Sequence, residues 1–309
     1  MKEGGAPEGR VWQWLWPNVK NYASDFAMIF GTTALSGVVI TPAQIIKARL
    51  QMQHQSQQPM GLMGVLKGYM QGGIPELRST WNVMKWNTLR RSISDGLVAP
   101  PALYAYESMQ AKVFPSSMHW AMCFPNIFAS SVIASGMETT TTLLPEIKEL
   151  EKVTGKPRAT NWQAHLENAR NVTLPIFSRN FVIWSGFFAA VALIDDMKQQ
   201  GPVSKWQEII TGAGIGGGAG IASIPFDTIV TRQFRTPDAR GMCYAMIDCA
   251  MKSGVRGLFA GATMRAFQMG VAIAFNMLGV GLSSHGDTPP GHAERVRMEE
   301  QKGKNSPER

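Results

Sequence analysis

Three prolines organise this chain. Pro42, Pro145 and Pro225 each stand near the end of an apolar run of about 20 residues and are followed by polar sequence. Nine residues before the last two lies a glycine, Gly136 and Gly216, and Thr33 holds that place in the first. A second apolar run follows each proline, so six spans are expected: 22–50, 87–110, 124–147, 172–197, 207–234 and 262–284. At about 1.5 Å per residue each is long enough to cross a hydrocarbon core of roughly 30 Å. Internal triplication restricts the fold before any other property is considered. The expectation is an all-α membrane protein with six transmembrane helices in three pseudo-symmetric two-helix repeats. Their boundaries are 21–115, 116–201 and 202–285, between an N-terminal segment, 1–20, and a charge-rich disordered tail, 286–309.

Composition agrees once the connections are considered. Of the 309 residues, 45% are apolar and only 17% charged, against about 25% charged in soluble domains, which excludes a disordered chain. Mean hydropathy is nonetheless −0.07, because long polar connections, 51–86, 148–171 and 235–261, dilute the spans. These contain short amphipathic pieces such as Cys243–Lys252 and are expected on one side of the membrane, with both termini on the other. A net charge of +8 suits an anionic lipid surface; no Lys/Arg-rich helix or aromatic RNA-binding motif supports nucleic acid. Cys123, Cys243 and Cys249 offer neither a disulfide framework nor metal-ligand spacing and are expected to be packing residues, with no metal site. Glu3 and Glu8 argue against a signal or transit peptide. Trp12, Trp14 and Trp16 suit either an interfacial aromatic belt or packing on a neighbouring helix.

Two segments carry a more specific pattern. Pro42-Ala43-Gln44-Ile45-Ile46-Lys47-Ala48-Arg49 and Pro225-Phe226-Asp227-Thr228-Ile229-Val230-Thr231-Arg232 resemble the P-x-[D/E]-x-x-[K/R]-x-[K/R] signature of mitochondrial carriers. Gly254-Val255-Arg256-Gly257-Leu258-Phe259-Ala260-Gly261, continuing to Arg265, is similar to that family's G-x-x-x-L-[Y/F]-x-G continuation. The resemblance implies a pseudo-threefold bundle in the inner mitochondrial membrane around a central solute cavity. It further implies matrix-side short helices, exchange of small metabolites by alternating access, membrane lipids as partners, cardiolipin as a bound lipid and no other cofactor.

In that pattern proline bends each odd-numbered helix, and an acid two residues on pairs with a base five residues after the next proline. The acid positions here are Gln44, Ile147 and Asp227, and the base positions are Lys47, Leu150 and Val230. The expected matrix-gate pairs are therefore Gln44 with Leu150, Ile147 with Val230, and Asp227 with Lys47. Charge is lost from both members of two pairs and kept in both members of the third. Random loss would more often strand a charge at a cost of several kcal/mol, so one bridge beside an apolar seam is the expectation. The opposite, cytoplasmic-side gate resembles [F/Y]-[D/E]-x-x-[R/K]. It reads Tyr106-Glu107-Ser108-Met109-Gln110 and Ile194-Asp195-Asp196-Met197-Lys198, leaving Glu107 with Lys198 as the one complete pair unless both are ordinary surface charges.

Solute contacts in the family come from even-numbered helices. Arg179 follows Pro175 as the family's contact arginine follows its proline, Gln268 holds the matching place on span six, and Ile93 or Ser94 does so on span two. Ionisable residues within spans are functional suspects, so Arg90, Arg91, Asp95 and Arg265 join them. For Arg90, Arg91 and Arg265 the competing reading is snorkelling to headgroups. Gly212-Ala213-Gly214-Ile215-Gly216-Gly217 matches a dinucleotide fingerprint, but no strand precedes it, and close helix packing explains it better. Thr139–Thr142 are expected to bond back to their own helix. No catalytic motif is present, and the chain is not expected to be an enzyme. Two functions follow: a solute carrier for a small anionic or zwitterionic metabolite, or a transport-inactive scaffold within a larger inner-membrane complex.

Overall fold

The computed structural model describes residues 8–55, 62–113, 124–154, 162–235 and 240–282. Among them every regular element is an α-helix: α1 (Glu8–Gln55), α2 (Leu62–Gln71), α3 (Gly73–Val113), α4 (Phe124–Thr154), α5 (Trp162–Gln200), α6 (Lys205–Arg235), α7 (Met242–Leu258) and α8 (Ala262–Leu282). Consecutive long helices pack on one another, and α8 returns to α1, so that α1, α3, α4, α5, α6 and α8 close a ring. Cys243–Lys252 lies within the short helix α7, which joins α8 at a bend of 65°.

Three helices are long and apolar enough to cross a membrane, α1 over Tyr22–Lys47, α5 and α6, with a fourth if the bent pair α7–α8 counts as one span. This several-helix apolar character is that of a membrane protein. The expected six spans are thus matched by three to four at this level. The reason is compositional: α3 carries Arg90, Arg91 and Asp95 in its apolar stretch, and α4 is interrupted by Asn126, four threonines and Glu138.

The prolines do not end their helices. Beyond Pro42, Pro145 and Pro225 the helices run on to Gln55, Thr154 and Arg235. A proline removes one backbone donor, and neighbours packed on either side of the helix sustain that loss. The threonine run behaves as expected: the hydroxyls of Thr140, Thr141 and Thr142 donate to the carbonyls of Gly136, Met137 and Glu138 at 2.8, 3.0 and 2.7 Å.

Helices α6 and α8 approach through glycine. A Cβ on Gly216 would lie 2.6 Å from the Met269 carbonyl oxygen, and one on Gly220 would lie 2.7 Å from that of Arg265. Gly212 completes the stripe, where a Cβ would meet Met277 at 2.9 Å. Spaced four residues apart, the three line one helix face, and that face holds α8 at backbone contact distance. Gly214 and Gly218 lie off it, with open space around them. Of the cysteines, Cys249 is buried with Ile229 and Ala245, whereas Cys243 is exposed, which corrects its expected packing role. Cys123, the side chains of Trp12, Trp14 and Trp16, and the tail 286–309 lie outside the described residues.

Candidate functional site

The ring encloses a cavity of about 200 Å³ lined by five basic and four acidic side chains. Its charges fall into two levels. One lies toward the C-terminal ends of α1, α4 and α6 and the N-terminal ends of α3, α5 and α8, an opposition that follows from neighbouring helices running antiparallel.

At this level Asp227 of α6 is the hub. Lys47 Nζ of α1 lies 3.0 Å from its Oδ2, Arg265 Nε of α8 lies 3.3 Å from the same oxygen, and Arg179 Nη1 of α5 lies 3.3 Å from Oδ1. Arg179 also grips Glu146 of α4 with both terminal nitrogens, Nη2 at 3.0 Å from Oε2 and Nη1 on Oε1. Five helices thus meet in one network of three bases on two acids. All these side chains are nearly enclosed, so their charges are balanced by one another and by polar groups rather than by water. Arg265 Nε has Ser223 Oγ at 3.4 Å. Asn180 Oδ1 accepts from Arg179 Nε and Nη2 at 3.1 and 2.9 Å. Beside the network Ile147, Leu150, Val172, Ile176, Val230 and Phe234 form a buried apolar cluster.

The second level begins at Asn180, whose Nδ2 donates to Thr139 Oγ1 at 3.3 Å. One turn on, Trp184 Nε1 donates to Glu138 Oε2 at 2.7 Å. Across the cavity the Thr33 hydroxyl lies 3.3 Å from Asp95 Oδ2 and 3.2 Å from Asn276 Oδ1. Having one proton, it donates to one at a time. Arg91 Nε is 3.7 Å from Asp95 Oδ2, and Ser94 Oγ is 3.5 Å from Thr141 Oγ1.

The expected site residues distribute unevenly over this arrangement. Lys47 and Asp227 are in contact. Ile147, Leu150 and Val230 share the apolar cluster, and Gln44 lines the cavity. Arg179 reaches the cavity but spends its guanidinium on Glu146, Asp227 and Asn180. Arg91 and Arg265 turn inward to Asp95 and Asp227, because a buried carboxylate outweighs distant headgroups, so snorkelling is corrected for both. Arg90 lines the cavity too. Of the alternatives on α3, Ser94 faces the cavity and Ile93, 42% exposed, faces out. Gln268 is fully buried but does not line the cavity, and its amide atoms have no hydrogen-bond partner among the described residues.

At the other end Lys198 meets Glu208 of α6 at 2.9 Å, in place of the expected Glu107. Glu208 opens α6 just beyond the short turn from Lys198, which makes it the nearer acid. Asp195 Oδ2 is buried with no hydrogen-bond partner among the described residues, and the side chain of Gln110 lies outside them. Sequence reasoning missed Glu138, Glu146 and Glu208. Glu146 stands one place before the motif's acid position; the signal available was simply an acid within an apolar helix. Outside the ring, Arg232 of α6 pairs with Asp248 and fastens α7 to α6, while Lys252 pairs with the same carboxylate one turn along α7 at 3.1 Å. No family model matches the chain, and no curated protein is similar to it.

Proposed function

We propose that this protein is a divergent carrier of the mitochondrial type, moving a small anionic or zwitterionic metabolite across the inner mitochondrial membrane by alternating access. In this reading α1, α3, α4, α5, α6 and α8 are the six spans, paired as three repeats, with α2 and α7 as surface helices on the matrix side. The observation that carries it is the charged cavity inside a helix ring, closed at one end by the network around Asp227. A cavity lined by nine ionisable side chains is costly within a membrane unless it serves a polar ligand. Opening that end separates Lys47 and Arg265 from Asp227, so the network is the step that gates access. Charged α3 and α4 fit the same reading, since Arg90, Arg91, Asp95, Glu138 and Glu146 all line the cavity.

A second reading draws on the same network. Asp227 is bound by three cations from three helices, and the neighbouring seam is apolar; a closure of this kind suits a transport-inactive subunit of an inner-membrane complex. Counter-exchange by the purified protein in loaded proteoliposomes separates the two. Exchange of any member of a broad panel of carboxylates, amino acids and nucleotides establishes the carrier, and silence across the panel, with migration on native gels only as part of a large assembly, replaces it with the scaffold.

A further inference from the structure

We propose that the cavity is built for a zwitterion, whose primary ammonium group docks on Glu138 and Trp184 while its carboxylate faces the arginine-rich level. The transport part of this statement rests on the carrier reading above; the binding part does not.

The four cavity acids are treated differently by their surroundings. Asp227 has three cations, Glu146 has Arg179, and Asp95 has Arg91. Glu138 has, among the described residues, no cation within ion-pairing distance; its partner is the indole N–H of Trp184 on Oε2, and its Oε1 has no donor there. A carboxylate so enclosed is incomplete without a counter-charge. The groups around it suit an ammonium. Trp184 and Phe187 both line the cavity and pack edge to face, 5.3 Å between centroids, and aromatic rings beside a carboxylate are the usual cradle for an organic cation. Asp95 of α3 and Asn276 of α8 line the same space, with the buried Thr33 hydroxyl behind them within reach of both side-chain oxygens.

Spacing along the helices sets the other half of the ligand. Arg91 precedes Asp95 by one turn, about 6 Å, and Glu146 follows Glu138 by about 12 Å at 1.5 Å per residue. Lys47, Arg179 and Arg265 outnumber Asp227 and Glu146 at the further level, and Arg90 and Arg91 also face the cavity. A simple anion would satisfy that level and leave Glu138 bare, whereas a simple cation would do the reverse. A zwitterion satisfies both. The cavity volume of about 200 Å³ lies below the roughly 300–1,000 Å³ of pockets for drug-sized ligands, which suits a solute of the size of a small amino acid.

The test uses matched pairs that differ in the amine alone: aspartate with malate, alanine with lactate and serine with glycerate. Thermal stabilisation of the detergent-purified protein reads binding, and counter-exchange in proteoliposomes reads transport. The expected result is that at least one amino acid stabilises the protein about tenfold more potently than its hydroxy acid, the scale of one charged hydrogen bond. Glu138→Gln should abolish that preference without lowering the unliganded melting temperature, and Glu138→Asp should retain it. If Glu138→Gln does not fold, Trp184→Phe, which removes the indole donor but keeps a ring, should weaken amino-acid binding relative to the hydroxy acid. Equal potency of amine and hydroxyl, no stabilisation by any amino acid, or unchanged preference in the variants overturns the site. Amino-acid binding without any exchange leaves the site standing and removes the carrier reading; exchange of hydroxy acids as fast as amino acids does the opposite.

Discussion

At the residue scale the decisive group is Asp227. Its carboxylate is shared by Lys47, Arg179 and Arg265, so the members of the network are unequal. Asp227→Asn leaves three cations facing a neutral amide, with Glu146 as the remaining acid, and should cost about 3–5 kcal/mol, the range for breaking a buried ion pair from one side. Lys47→Met removes a cation from a group that has one in excess and should cost less. Thermal unfolding in detergent checks the order; a Lys47→Met protein less stable than Asp227→Asn would refute the hub. The Lys47–Asp227 contact was legible because both residues fill places of the carrier-like motif, at fixed offsets from prolines, that the resemblance pairs. Arg265 and Glu146 were not, because which neighbour a buried arginine selects depends on the rotation of each helix about its axis. One residue of register turns a helix by about 100°, enough to exchange Ile147 for Glu146 as the cavity-facing group.

At the element scale, glycine spacing does what apolar patterning does elsewhere. Gly212, Gly216 and Gly220 set the distance between α6 and α8, and the run was recognisable in sequence as a packing motif because no strand precedes it. Which glycines face α8 was not recognisable, since six lie between residues 212 and 220. The structure separates them. Gly216→Ala would place a methyl 2.6 Å from the Met269 carbonyl oxygen and should destabilise by about 1–3 kcal/mol through overpacking. Gly218→Ala meets nothing within 4 Å and should stabilise by about 0.5–1 kcal/mol through its better helix propensity. Melting temperatures that move in the same direction for both would show that α8 does not rest on this face. Proline gave the opposite lesson: α1, α4 and α6 run on past Pro42, Pro145 and Pro225, because one missing donor does not stop a helix supported on both sides.

At the scale of the whole molecule, the question is whether α3 and α4 cross the membrane along with the more apolar α1, α5 and α6. Arg90, Arg91, Ser94 and Asp95 of α3 and Glu138, Thr142 and Glu146 of α4 line the cavity, so their low hydropathy belongs to the inner face and does not by itself exclude crossing. Native cysteines distinguish the arrangements. Cys123 lies between α3 and α4 in sequence, outside the described residues, and Cys243 is exposed at the start of α7. If all six long helices cross, the chain passes the membrane three times between Cys123 and Cys243, by α4, α5 and α6, and the two thiols lie on opposite sides. If only α1, α5, α6 and α8 cross, two passages separate them and both thiols lie on the same side. Variants retaining one cysteine each, expressed in sealed vesicles of uniform orientation, are treated with a membrane-impermeant maleimide before and after permeabilisation. The six-span arrangement requires one variant to label at once and the other only after permeabilisation; identical behaviour of the two would leave α3 and α4 on one side and count against the proposed carrier.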